Sequence, residues 1–318
     1  MQESTAKFPL NILFVFIDGV GLGEENPDNN PFCQLPLPSF KALSKNQTWT
    51  THASSVHDPT HTFRAIDARL AVEGLPQSGT GQATLFTGLN CAKLAGKHFG
   101  PYPHSTSKPV IATDNIFTKV NNLISGPAAP SAFANAYPQV FFKQAEARNR
   151  WTVTTLSCIE SGILIRKEQE LRNGKALTAD ITGKAWHERL NIDIDPVEEH
   201  KAAGRLVDLS TQHSFTLFEY YLTDKAGHSR DINQASKILY SLDRFFHGIL
   251  EQIDFSQSLL LITSDHGNLE DLSTKSHTIN KVPLIAIGKG ASYFQNTHSI
   301  LDVTPTILET LRAFTRTS

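Results

Sequence analysis

Residues 259–284, LLLITSDHGNLEDLSTKSHTINKVPL, bring a carboxylate and two imidazoles into one short stretch: Asp265 and His266 are adjacent, and His277 follows. Carboxylate oxygens and imidazole nitrogens suit zinc, manganese or iron, so the chemistry suggested is that of a bound divalent metal. A second set lies in FTLFEYYLTDKAGHSR, where Asp224 and His228 are spaced so that one helical turn would aim both at the same ion. A third carboxylate, Asp18, ends the apolar run NILFVFI. Ser78 and Thr80 are the candidate nucleophiles in VEGLPQSGTGQATLFTGLN, with Ser78 at or just before a helix over 81–87. Free N–H groups and the positive end of the dipole at such a terminus favour an anion or an alkoxide; the structural alternative is that either hydroxyl is an N-cap.

These side chains need elements to hold them. The β-branched and apolar runs at 12–17, 215–222 and 259–263 have the length of buried parallel strands, and each stops at a ligand-type residue. That puts three polar clusters at carboxyl ends of strands, where open α/β sheets bind ligands. Between them, 232–253 carries Ile238, Leu242, Phe245, Phe246 and Ile249 at helical intervals and reads as an amphipathic helix packed on the sheet. A short helix is expected over 38–45. His57, Asp58 and His61 follow, but Pro59 breaks the helix that would align them, so a surface loop before a strand at 63–66 is expected instead of a metal site.

Composition narrows the function classes. The chain has 318 residues, 40% hydrophobic and 19% charged, with a formal net charge of −2, which describes a soluble globular protein without a basic surface for nucleic acid or membrane. Cys33, Cys91 and Cys158 are widely spaced and form no CxxC, which fits a reducing cytoplasm and neither a disulfide framework nor a thiolate zinc site. The apolar run at 12–17 is too short for a signal peptide or a membrane span. Gly19, Gly21 and Gly23 imitate a dinucleotide loop, yet Asp18 precedes them and residues 24–31, rich in Asn, Asp and Pro, form no helix after them. No GxSxG elbow surrounds Ser78, which excludes a metal-free serine hydrolase of that type.

The order Asp18, Ser78, Asp224-x-x-x-His228, Asp265-His266, His277 resembles the alkaline phosphatase superfamily, closest to its cofactor-independent phosphoglycerate mutase and phosphopentomutase branch. GLPQSGTGQATLFTG is similar to that branch's nucleophile loop, and TSDHGNLED with SHT to its metal-binding end. The resemblance covers about the first 90 and last 110 residues. It implies an α/β fold with a mixed, mostly parallel sheet flanked by helices, a core at 1–94 and 212–318, and an inserted α+β cap at 95–211. It implies two divalent ions per chain, manganese or zinc, one held by Asp18, Ser78, Asp265 and His266 and the other by Asp224, His228 and His277. It also implies phosphoryl transfer through Ser78 on a small phosphorylated substrate, as a phosphomonoesterase or phosphomutase. A phosphodiesterase or nucleotide pyrophosphatase, or a non-catalytic metal-binding relative, would share these residues. Two departures stand out: Gln82 occupies the position where the mutases carry histidine, and the middle is much shorter than their inserted domain. A sulfatase is disfavoured by the absence of its Cys/Ser-x-Pro-x-Arg motif.

The middle opens on GKHFGPYPHSTSKP, reads as strand-like at 151–156 and 163–165, and as helical at 185–190 and 196–206. Gln82, His98, His104 and Arg166, with Lys167, are the candidate substrate contacts.

Overall fold

The computed structural model describes residues 8–124 and 129–315. Its strands are β1 (Asn11–Ile17), β2 (Val56–Asp58), β3 (His61–Ile66), β4 (Ser131–Phe133), β5 (Phe215–Tyr220), β6 (Ser258–Thr263) and β7 (Val282–Gly288). They form one sheet in the order β2-β3-β7-β6-β1-β5-β4. The block β6-β1-β5-β4 is parallel, whereas β7, β3 and β2 are joined to it and to one another by antiparallel pairing. The three strands expected to end in ligands are therefore neighbours. Register puts Ile17 beside Tyr220 and Phe16 beside Thr263, so all three chains leave the sheet at the same end.

Every residue of β1 is buried because helices cover both faces, which is why its sequence is apolar without alternation. The pleat still divides it. Ile12, Phe14 and Phe16 join Ala83, Leu85 and Phe86 of the Ser78–Thr87 helix and Val303, Ile307 and Leu311 of the Val303–Thr315 helix. Leu13, Val15 and Ile17 meet Leu239, Leu242, Phe245, Phe246 and Ile249 of the Ile232–Gln252 helix. Phe16 and Phe86 stand edge to face at 5.4 Å, which ties the Ser78 helix to the strand that delivers Asp18.

Several expectations are corrected. Residues 151–156 are not a strand: Val153–Ser161 is a helix, with the Thr152 side chain capping Thr155 N and Gly162 closing it in the left-handed region. The Val-Thr-Thr run suggested a strand, and the two caps override it. Residues 163–165 form no strand, and Arg166 makes a single bridge to Ala136. The strand at 215–222 ends at Tyr220, and Leu222 begins the helix Leu222–Ser229. Nor is 95–211 a separate cap, because β4 extends the main sheet and Ile111, Ile116, Phe117, Val120, Val153 and Cys158 enter the same core as Phe14 and Phe215. Ala202, Ala203 and Leu206 enter the core on the other face. What stands apart is a small cluster of Ala136, Leu171, Ala176, Trp186 and Ile194. His57, Asp58 and His61 lie on the β2–β3 hairpin, with the buried His61 ring against the Leu43 carbonyl at 3.0 Å.

Candidate metal centre and nucleophile

Asp18 leaves β1 with its N–H on the Tyr220 carbonyl at 3.0 Å and its own carbonyl accepting from the Thr223 hydroxyl at 2.6 Å, so its backbone is fixed by β5. Gln82 donates to Asp18 Oδ2 at 3.1 Å, while Oδ1 faces His266 Nε2 at 3.3 Å. Asp265 Oδ2 lies 3.5 Å from the same nitrogen. Both Asp18 Oδ1 and Asp265 Oδ2 are buried without a hydrogen bond. Ser78 Oγ completes this group at 2.9 Å from His266 Nε2.

The second group adjoins the first, because the His266 and His277 rings stack at 3.8 Å. Asp224 sits in the first turn of the Leu222–Ser229 helix, with Oδ2 3.4 Å from His228 Nε2 and Oδ1 3.5 Å from His277 Nε2. His228 Nδ1 meets the Lys275 carbonyl at 2.8 Å, and His277 Nδ1 meets the Pro76 carbonyl at 2.7 Å. A carbonyl only accepts, so each Nδ1 carries the proton and each Nε2 of a neutral ring presents a lone pair. Those two nitrogens face each other at 3.2 Å, an arrangement that a cation between them would relieve. Bare buried carboxylate oxygens and carbonyl-anchored imidazoles are the donors and supports that divalent metals use, so the residues present fit such ions.

Electrostatics agree with this. Burial, then repulsion from Asp265, holds Asp18 well above the usual carboxylate range. Burial also raises Asp265. For His266 burial acts to lower the pKa, but Asp265 and Asp18 outweigh it and push it up to about 10. Burial, then the His266 charge, brings His277 down to about 4. Cations entering this cluster would neutralise three mutually repelling carboxylates and displace the His266 proton.

The structure separates the two candidate nucleophiles. Ser78 is the first residue of its helix and Gln77 is the cap, so the Ser78 hydroxyl does not cap the helix and points at His266. The Thr80 hydroxyl donates to the Gln77 carbonyl at 3.3 Å and accepts from Phe99 N at 3.1 Å. It therefore holds the 99–104 loop against the helix. Gln82 belongs to the site through Asp18. His104 lies on that same loop, edge-on to Phe99 at 4.9 Å. His98 is bound to the Arg69 carbonyl at 3.1 Å, and Lys167 lies over the Phe142 ring at 4.8 Å. Arg166 is corrected as an anion contact, because it is buried and gives its guanidinium to the Phe133 carbonyl.

Sequence reading missed three buried polar residues. Asn268 donates to Asp224 Oδ1 at 2.6 Å and so aims that carboxylate. Glu270 receives four donors. Glu219, on β5, accepts from the Tyr137 hydroxyl at 3.4 Å, and burial, then the Asp18 charge, raises its pKa to about 7. A lone acid inside an apolar strand was the available signal for Glu219; for the other two it was polar residues continuing past a strand end.

Glu219 makes a pH prediction for protein kept metal-free with chelator. The folded chain retains this proton up to about 7, whereas an unfolded glutamate releases it near 4.5. Its stabilising contribution is therefore complete below about 4.5 and is lost as pH rises to about 7, a loss of about 3 kcal/mol. Glu219→Gln should raise the melting temperature at pH 8 and leave it nearly unchanged at pH 4.5. An equal shift at both values would contradict a protonated Glu219.

Residues 186–314 match the model of the Metalloenzyme superfamily. A 108-residue stretch is 32% identical to the 2,3-bisphosphoglycerate-independent phosphoglycerate mutase of Antithamnion sp., covering 31% of this chain and 21% of that protein. The chain thus spans about a fifth of the length of the curated relatives it matches. In fold it is similar to a protein from Pyrococcus horikoshii, with a TM-score of 0.54 at 13% identity over 95% of this chain and 96% of that one. It is also similar to the cold-active alkaline phosphatase of the psychrophile Shewanella sp., with a TM-score of 0.50 at 14% identity over 94% and 99% of the two chains. Over residues 186–314 the chain is thus similar to the Metalloenzyme superfamily, a 108-residue stretch of it is similar to phosphoglycerate mutases, and its fold is that of the two solved structures.

Proposed function

We propose that the chain is a two-metal phosphoryl-transfer enzyme, a phosphomonoesterase or phosphomutase, working through a phosphoserine at Ser78. The observation that carries this reading is the Ser78 hydroxyl, 2.9 Å from His266 Nε2 beside two buried carboxylate oxygens without partners. Asp18, Ser78, Asp265 and His266 would hold one ion, and Asp224, His228 and His277 the other, manganese or zinc. Two such ions supply charge neutralisation for a phosphoryl group and lower the pKa of a coordinated hydroxyl.

The chain's own groups do the rest. Ser78 Oγ gives its proton to solvent and attacks phosphorus in line; the Oγ–P bond forms as the ester O–P bond breaks, and the leaving oxygen takes a proton from solvent. A water oxygen then attacks the phosphoserine in a phosphatase, or a hydroxyl of the bound organic moiety does so in a mutase, and Ser78 regains its proton. Thr80 and the 99–104 loop hold the Ser78 turn in place, while Gln82 and Asn268 aim Asp18 and Asp224. We place the enzyme in the cytoplasm with a small phosphorylated molecule as substrate; Cys33, Cys91 and Cys158 are free, as a reducing compartment keeps them, and among the described residues no helix is long and apolar enough to cross a membrane.

The test is a panel of phosphomonoesters, sugar phosphates and phosphodiesters given to manganese- and zinc-loaded protein. Release or migration of phosphate from a monoester is the expected result. Turnover of diesters alone, or of nothing in the panel, would overturn the reading.

A further inference from the structure

Glu270 is buried in the middle of the cluster, yet it has none of the features of the ligands. Its Oε2 accepts from Gly21 N and from Asn268 N, each at 2.8 Å, and its Oε1 accepts from the Thr278 hydroxyl and from Asn280 Nδ2 at 3.1 Å. Where Asp18 and Asp265 each keep an oxygen bare, both Glu270 oxygens are filled by donors, so this carboxylate is saturated by the protein. The donors come from three segments. Gly21 follows Asp18, Asn268 follows His266, and Thr278 and Asn280 follow His277.

The glycines that imitate a dinucleotide loop are explained by the same carboxylate. A Cβ on Gly21 would lie 2.3 Å from Glu270 Oε1, and one on Gly267 would lie 2.2 Å from it. Side chains there would displace the carboxylate, so these positions serve close approach to Glu270 and not to a pyrophosphate.

We infer that Glu270 is a positioning residue for the Asp224, His228 and His277 group, tying the His277 segment to the Asp18, Asp265 and His266 segments. This rests on the two-metal reading of the site. The role has an asymmetry. Glutamine in this place offers one acceptor oxygen and one NH2 group with two N–H donors. Gly21 N–H and Asn268 N–H are fixed donors, so the Gln oxygen must stay with them and its NH2 must face Thr278 and Asn280. A hydroxyl can rotate and an amide can flip to receive it, but the His277 segment then gives up its present bonds. Glu270→Gln should therefore weaken the Asp224, His228 and His277 site much more than the other.

The experiment strips the full chain with chelator and titrates it with Co2+, followed by visible absorption and calorimetry. Wild type should show two sites. Glu270→Gln should keep one within about threefold and weaken the other by about 10- to 100-fold, the range for losing a group that orients a metal ligand. Asn280→Ala, which removes one of the bonds to the same oxygen, serves if Glu270→Gln does not fold and should weaken the same single site. Two unchanged sites, or equal weakening of both, would overturn the inference while leaving the two-metal reading intact. Fewer than two sites in wild type would instead overturn that reading.

Discussion

Ser78→Ala should lower phosphoryl transfer by about three to five orders of magnitude, because no neighbour can replace the covalent step. Stability should change little, since the helix cap is Gln77 and the Ser78 hydroxyl faces His266 at 2.9 Å. Thr80→Ala should behave in the opposite way. It removes the hydroxyl that accepts from Phe99 N, costing about 1–2 kcal/mol, and should keep most of the rate. Mass spectrometry of acid-quenched wild type incubated with substrate should place phosphate on Ser78. Phosphate on Thr80, or an active Ser78→Ala enzyme, would remove Ser78 as the nucleophile and leave the other proposed metal ligands as assigned.

Asp265→Asn should make the metal-free protein more stable and the metal-loaded protein less so. Asp265 is fully buried, its pKa is raised by that burial, and its Oδ2 has no hydrogen-bond partner. An amide there carries no charge and can donate to the bare Asp18 Oδ1, so a gain of about 1–3 kcal/mol is expected without metal. With metal at a hundred times its dissociation constant, wild type should gain about 2.7 kcal/mol per ion, and the variant should lose that gain for the ion Asp265 holds. Melting curves with and without Mn2+ or Zn2+ measure both. A variant less stable than wild type under chelation, with an unchanged response to metal, would show that Asp265 is a structural acid and not a ligand.

The strands and the site were readable for one reason. A parallel strand buried on both faces is a nearly continuous apolar run, so a sudden Asp18 or Asp265 just past its end stands out against Ile17 or Thr263. The antiparallel strand Val282–Gly288 and the three-residue β4 were not read, because their place in the sheet depends on pairing with β6 and β5 and not on their own pattern. The same limit explains the misplaced cap. Ile111, Phe117 and Val153 have no local feature that says which core they enter, and only tertiary packing assigns them to the main one. Arg166 and Glu270 show it at single residues: a charged side chain looks like a surface group until its donors and acceptors are supplied by distant backbone.

Metal content per chain, measured by mass spectrometry after reconstitution with excess Mn2+ or Zn2+ and removal of free ion, is the most direct measurement. The proposed ligand sets predict two ions in wild type, one in Asp224→Ala and one in Asp265→Ala, with different residues retaining the remaining ion. One ion or none in the wild-type chain would contradict a two-metal centre.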